Sequence, residues 1–240
     1  MSKRKRKSRK NVKILSAILV VLIIIAIIIF HLDEKRDSES NATGSGESEN
    51  SQEQSGITFP YVLEDEGIEI VSIFPYSGTN PDFDDEDCEN VGALQVINQS
   101  GEHLEKADID VMLSDGSKLE FQMEEIPGGK EVLAFEINNE EYESTKSVIE
   151  IQVDVKRASE KKLNEDVVKY ELGEEEISLT NVSDTELADI KVKYHCSLNE
   201  MYFGGKCFSG VIETLKPGES AVLDASECYL GEVTVVDITY

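Results

Sequence analysis

The sequence predicts a mainly β protein: two tandem β-sandwich modules carried behind one transmembrane helix and a disordered linker. Three observations predict it. An apolar run near the N-terminus follows a basic head. A polar stretch without aromatic residues comes next. From Ile57 onward the apolar residues recur with a period of two, and the pattern is laid down twice.

The basic head is residues 1–13, with eight Lys and Arg and no acid. Of the 23 basic residues, that leaves 15 against all 49 acidic ones, so a chain of net charge −26 has a body of net −34. Such a body repels phosphate, which argues against a nucleic-acid partner. The composition also excludes a collagen, a coiled coil and a disulfide-dense mini-protein. Residues 14–32 are the expected transmembrane helix. Ile14 to Phe30 is uncharged and spans about 26 Å at a rise of ~1.5 Å per residue. Val12, His31 and Leu32 extend it towards the ~30 Å of a bilayer core. The Lys/Arg bias puts the N-terminus in the cytoplasm and the body outside. No Ala-x-Ala pattern follows Phe30, so the segment reads as an uncleaved anchor rather than a signal peptide. Residues 33–56 are rich in Ser, Glu, Asn, Gln and Gly, too polar to offset the entropy of ordering, and are expected to be disordered.

The body alternates. Ile68–Ile73, Leu94–Val96, Ile109–Val111, Leu119–Phe121, Ile149–Val155 and Ile190–Tyr194 alternate apolar residues with charged or polar ones, with one slip at Val71-Ser72. Strands with one buried and one wet face have this pattern. Turn signals separate them, among them Asn98–Gly101, Ser114–Gly116, Pro127–Gly129, Asn181–Asp184 and Pro217–Gly218. The series repeats. Asn98-Gln99-Ser100, Leu104, Ala107–Val111 and Pro127-Gly128 match Asn181-Val182-Ser183, Leu187, Ala188–Val192 and Pro217-Gly218, at offsets of 83, 81 and 90 residues. Module 1 is expected over 57–160 and module 2 over 161–240, with the boundary near Ala158–Asn164.

Three stretches carry a resemblance: Ile73-Phe74-Pro75-Tyr76-Ser77-Gly78 with its acidic follow-on, Tyr202-Phe203-Gly204-Gly205-Lys206, and Leu215-Lys216-Pro217-Gly218-Glu219. Over Ile68–Tyr240 the chain resembles a group of uncharacterised membrane-anchored surface proteins of Gram-positive bacteria. The resemblance implies immunoglobulin-like modules and a surface location, and it carries over no catalytic residue. Cys228 stands where aromatic or His residues are expected around Glu227–Tyr229.

Four cysteines follow the anchor: Cys88, Cys196, Cys207 and Cys228. An even count in an exported chain suggests disulfides. The disulfide candidates are Cys196, Cys207 and Cys228, with one bond expected inside module 2, either Cys207–Cys228 or Cys196–Cys207; free buried thiols are the alternative. His195 and Cys196 have the residue types of a zinc site but are adjacent on a strand, so they face opposite sides. Asp82, Asp84 and Glu86 fall at alternate positions, as carboxylates around a Ca²⁺ would. The loop is no EF-hand, since its sixth position is Asp87 and its last is Ala93. A solvated acidic loop is the plainer reading, and no cofactor is expected otherwise. Glu124-Glu125, Glu140-Glu141 and Glu174–Glu176 read as solvated charge runs at strand ends. Gly204-Gly205 reads as a bulge or bend. Tyr194, Tyr202, Phe203, Phe208 and Tyr229 read as core packing around one hairpin, with an aromatic ligand patch as the alternative.

The function expected is that of a single-pass extracellular protein and not an enzyme. It would bind or scaffold a protein or envelope partner at the bacterial cell surface. An accessory subunit of a membrane transport or secretion complex is the alternative, and an envelope enzyme a lesser one.

Overall fold

The computed structural model describes residues 56–83, 87–158 and 163–240. The expected transmembrane segment and the expected linker up to residue 55 lie outside the described residues. Among the described residues no helix is long and apolar enough to cross a membrane. What they form is mainly β, in several sheets, with the character of a β-sandwich.

In the first part of the chain, β1 (Tyr61–Leu63), β2 (Ile68–Thr79), β3 (Asp87–Asn98) and β6 (Glu131–Phe135) lie side by side. A second sheet has β4 (His103–Leu113) between β5 (Lys118–Ile126) and β7 (Val148–Ala158). Alternation explains the layers. Ile68 and Ile70, Leu94 and Val96, and Val132 and Ala134 form one wall of a core. Ala107, Ile109, Val111, Leu119, Phe121 and Met123 form the facing wall, and the intervening acids and lysines face water.

The second part repeats this pairing scheme. β9 (Glu176–Asn181) lies between β8 (Val168–Leu172) and β13 (Ser220–Asp224), as β3 lies between β2 and β6. β10 (Leu187–Leu198) lies between β12 (Phe208–Leu215) and β14 (Glu232–Thr239), as β4 lies between β5 and β7. Ile177 and Leu179 meet Ile190, Val192, Tyr194 and Leu215 in a separate core.

Two buried asparagines show why the turns recur. The Asn98 side-chain amide donates to the carbonyls of Glu102, Ile126 and Pro127 at 2.9–3.1 Å, and its Oδ1 accepts from the Ser100 amide and hydroxyl. Asn181 donates to the carbonyls of Thr185 and Leu215, both at 2.8 Å, and accepts from Ser183 in the same way. Gly129 and Gly218 donate to the carbonyls of Asn98 and Asn181, with φ of 75° and 76°. Matched by these bonds, the spacing is 83 residues from Asn98 to Asn181 and 89 from Ile126 to Leu215. The offset along β4 and β10 stays at 83, because Leu104 and Ile109 pair with Ile126 and Phe121 as Leu187 and Val192 pair with Leu215 and Gly210. The residue-type matches at 81 and 90 are thus corrected by hydrogen-bond register.

The cysteine pairing differs from either expected bond. Cys196 is joined to Cys228, with Cα atoms 4.9 Å apart, and Cys88 and Cys207 are free. Strand alternation decides this. Cys196 points into the second core, which is capped by the 3₁₀ turn Ser226–Cys228. Cys207 leaves on the other face and packs against the first core.

Two stability outcomes are expected for the full-length chain in urea unfolding. Asn98→Ala or Asn181→Ala strands several buried carbonyls and costs about 2–3 kcal/mol each. Opening the disulfide, which spans 32 residues, with Cys196→Ala/Cys228→Ala costs about 3–4 kcal/mol by loop entropy. Cys207→Ala, which breaks no bond, costs less than half of that. Wild-type stability in the double variant would show that the two sulfurs are not bonded.

Candidate functional site: the junction between the halves

A nine-residue connection between β10 and β12 builds the junction, and its local geometry starts with a tight turn. Asn199 and Glu200 take φ of 52° and 71°, which reverses the chain into β11 (Met201–Phe203). β11 then leaves its own half. It pairs in parallel with β6, Tyr202 opposite Val132 and Phe203 opposite Leu133. The sheet of the first half therefore continues through β11 into β10 and the second half.

Gly204 and Gly205 follow, and the structure requires both. Gly204 has φ of 98°. A Cβ on Gly205 would stand 2.0 Å from the Gln122 carbonyl oxygen, so only glycine lets this backbone lie on β5. The Glu124 amide donates to the Gly205 carbonyl at 3.0 Å. Asp82 takes up the other side of the turn: its Oδ2 accepts from the Gly205 amide at 2.8 Å and its Oδ1 from the Lys206 amide at 3.1 Å. Burial raises the Asp82 carboxyl above its ordinary value, against the pull of the two amides and the Lys206 charge.

The side chains around β11 complete the joint. Tyr202 stacks on His195, with ring centroids 4.2 Å apart, and the Lys130 ammonium sits 4.8 Å from the centre of the Tyr202 ring. His195 Nε2 lies 2.8 Å from the Glu124 carbonyl oxygen. Phe203 joins Tyr76 and Phe135 in an edge-on aromatic cluster. Glu125, only 3% exposed, binds His103 Nε2 at 2.7 Å through one oxygen and Lys193 Nζ through the other.

Two clefts flank this joint. One, about 290 Å³, is lined by Asp82, Phe83, Phe135 and Ile137. The other, about 300 Å³, is lined by Lys106, Lys156, Lys191 and Lys193 with Glu105. Glu124 and Cys207 line both. Burial pushes the Cys207 thiol up to about 12. At neutral pH it is protonated and a poor nucleophile or metal ligand.

The sequence-predicted site residues fall as follows. Asp82 is turned inward on the Gly205 turn, while Asp84 and Glu86 lie outside the described residues. Among the described residues no three His, Cys, Asp or Glu side chains group as metal ligands do. Cys196 and Cys228 come together and Cys207 stands apart. The aromatic residues divide rather than cluster: Tyr202 and Phe203 serve the first half, whereas Tyr194 stacks on Phe208 in the second. Glu125 is not a solvated charge, because it lies beneath both halves. The sequence reading missed His103, Lys193 and Glu125 as partners. The available signal was the run Tyr194-His195-Cys196-Ser197, all four buried, where alternation stops because both faces of β10 are covered. Compared with known proteins, the chain matches no family model and no curated protein.

The joint has a pH signature. Burial lowers the His195 imidazole from 6.5 to about 4. The folded chain thus holds it neutral while the unfolded chain takes up a proton at about 6.5. Its contribution is complete above that pH and is withdrawn as pH falls towards 4. Between pH 7 and pH 5 this amounts to roughly 2 kcal/mol. Urea unfolding of the wild type against His195→Gln, at both pH values, isolates this effect. The expected result is a loss on acidification smaller by about that amount in the variant; equal losses would show that His195 does not carry it.

Proposed function

We propose that the chain is a single-pass, membrane-anchored extracellular protein. In this reading it presents two immunoglobulin-like modules, a duplicated sandwich, as one rigid unit at the bacterial cell surface. It binds or scaffolds another protein or an envelope component and is not an enzyme. The observation that carries the reading is the joint. Asp82, Glu125, His103 and His195, side chains capable of chemistry, are committed to fixing one half on the other. A continuous sheet across the junction holds the far end of the body at a fixed distance and orientation, which suits presentation. The matched pairings and the twin asparagine turns support duplication. The basic head, the apolar run over 14–32 and the polar stretch over 33–56 support an anchor, a cytoplasmic N-terminus and a flexible tether. The acidic body favours a basic partner.

Two measurements test this on the full-length chain. Protease added to intact protoplasts is expected to digest the body and spare an N-terminal tag. The chain in nanodiscs is expected to bind envelope fractions from cells lacking it, saturably and more weakly at high salt. Repeating the binding with and without Ca²⁺ reads the Asp82, Asp84, Glu86 loop. A protected body, or binding that neither saturates nor responds to salt, would sink the proposal.

A further inference from the structure

The two halves differ in one respect that bears on binding. In the first half, β6 is paired on both edges, with β3 on one side and β11 on the other. In the second half, the matching strand β13 pairs with β9 alone among the described strands. The match is residue by residue. The Asn98 and Asn181 amides donate to the carbonyls of Lys130 and Glu219. From there, Val132 and Leu133 lie opposite Val96 and Gln95, as Ala221 and Val222 lie opposite Leu179 and Ser178. Leu133 and Val222 therefore hold the same place. Leu133, beside Phe203, is 4% exposed; Val222 is 58% exposed.

An open strand edge is a template for pairing, and proteins usually guard one with Lys, Pro or a bulge. Ser220-Ala221-Val222-Leu223-Asp224 contains no Lys or Pro, and its register on β9 runs without a shift. Beside it, β12 exposes Val211 at 59%. The two strands approach closely, since a Cβ on Gly210 would meet the Leu223 side chain at 2.3 Å. The edge thus offers main-chain groups with the exposed Val222 side chain among them, the pair of features that strand-adding peptides use.

We propose that the free edge of β13 is a peptide-docking site. It takes an extended segment of a partner protein in the parallel sense in which β11 sits on β6. What carries over from β11 is the side chain beside the edge: an aromatic or apolar residue next to Val222, as Phe203 lies next to Leu133. Charge points the same way. Glu213, Glu219 and Asp224 flank the edge and attract basic residues. A second copy of β13 is a poor occupant, because Ser220–Asp224 brings no basic residue to an acidic edge. This inference rests on the reading of the chain as a binding module and names its partner class.

The test uses the full-length chain in nanodiscs and a fluorescent peptide, Met-Tyr-Phe-Gly-Gly-Lys, copied from Met201–Lys206. Anisotropy measures affinity, and hydrogen exchange locates the peptide. The expected result is saturable binding with slowed exchange over Ser220–Asp224. Val222→Lys, at an exposed position that the fold tolerates, is expected to weaken binding by about tenfold or more. A peptide with proline in place of phenylalanine is expected not to bind. Three results would overturn the proposal: no saturable binding, protection over Glu131–Phe135 instead (the peptide displacing β11), or β13 edges pairing between copies. Envelope binding by Val222→Lys separates the two readings. If it is undiminished while the peptide does not bind, the β13 assignment falls and the binding reading stands. If the wild type binds neither peptide nor envelope, both fall.

Discussion

The arrangement of the two halves depends on one half-buried carboxylate. Asp82 accepts backbone amides from Gly205 and Lys206, more than 120 residues further along the chain. Charge-assisted bonds of this kind are worth about 1.5–3 kcal/mol each. Burial opposes the ionised form, and those amides offset it. They are available because Gly204 and Gly205 bend the chain with no side chain between the turn and β5. Once the turn is seated, β11 lies on β6, Tyr202 covers His195, and the second face of β10 is closed. The buried Glu125 with His103 and Lys193 is a consequence of that closure. In open solvent the same ion pairs would contribute little.

The spacing arithmetic locates the origin of the clamp. On the duplicated reading, the offset is 83 residues up to β10 and 89 from β12 onward. The six extra residues fall between those strands, in the segment that contains β11 and the two glycines. In the first half the corresponding connection is a short turn, Leu113 to Lys118, in which the Gly116 amide donates to the Leu113 carbonyl. An insertion at a hairpin is the change a sandwich tolerates best, because it leaves both sheets intact. Here it supplies a strand to the neighbouring half. On that reading the insertion binds the two halves into the one compact unit, Ser55–Tyr240, that they form.

Much of the fold was legible in the sequence, and for a definite reason. Strand alternation such as Ile149–Val155, and turn residues such as Asn98 and Asn181, act locally, so period and spacing report them directly. The asparagines were readable as turn formers; that each satisfies buried carbonyls of a distant strand was not. The site was less legible because it is made by residues whose partners lie far away. Glu125 follows Glu124 in a run that looks solvated, and only the approach of Lys193 and His103 makes it buried. Cys207 is eleven residues from Cys196, closer in sequence than Cys228. Spacing left Cys196–Cys207 and Cys207–Cys228 equally open, but Cys196 and Cys228 share the second core while Cys207 packs against the first. The Asp82 loop illustrates the same limit. Its carboxylates suggested an ion, whereas Asp82 serves two amides that no local pattern brings near it.

Electrostatics link the joint to the surface. Of the few basic residues in the body, Lys130 and Lys193 are drawn into the junction, over Tyr202 and onto Glu125. Glu125 and Asp82 are drawn in with them, so the outer surface keeps the acidic excess of the composition. Glu125 and His103 are shielded from solvent and feel little screening, whereas the exposed acids repel one another through water and are screened within about 8–10 Å at physiological salt. Salt therefore acts in opposite senses on two properties of the same molecule. It relieves self-repulsion and favours the folded body and, on the binding function proposed above, it weakens the attraction of a basic partner. A fold held by a dry, short-range joint keeps its shape across that range while its long-range field is modulated. On the proposed reading, that division keeps the geometry of the body fixed while binding responds to the medium.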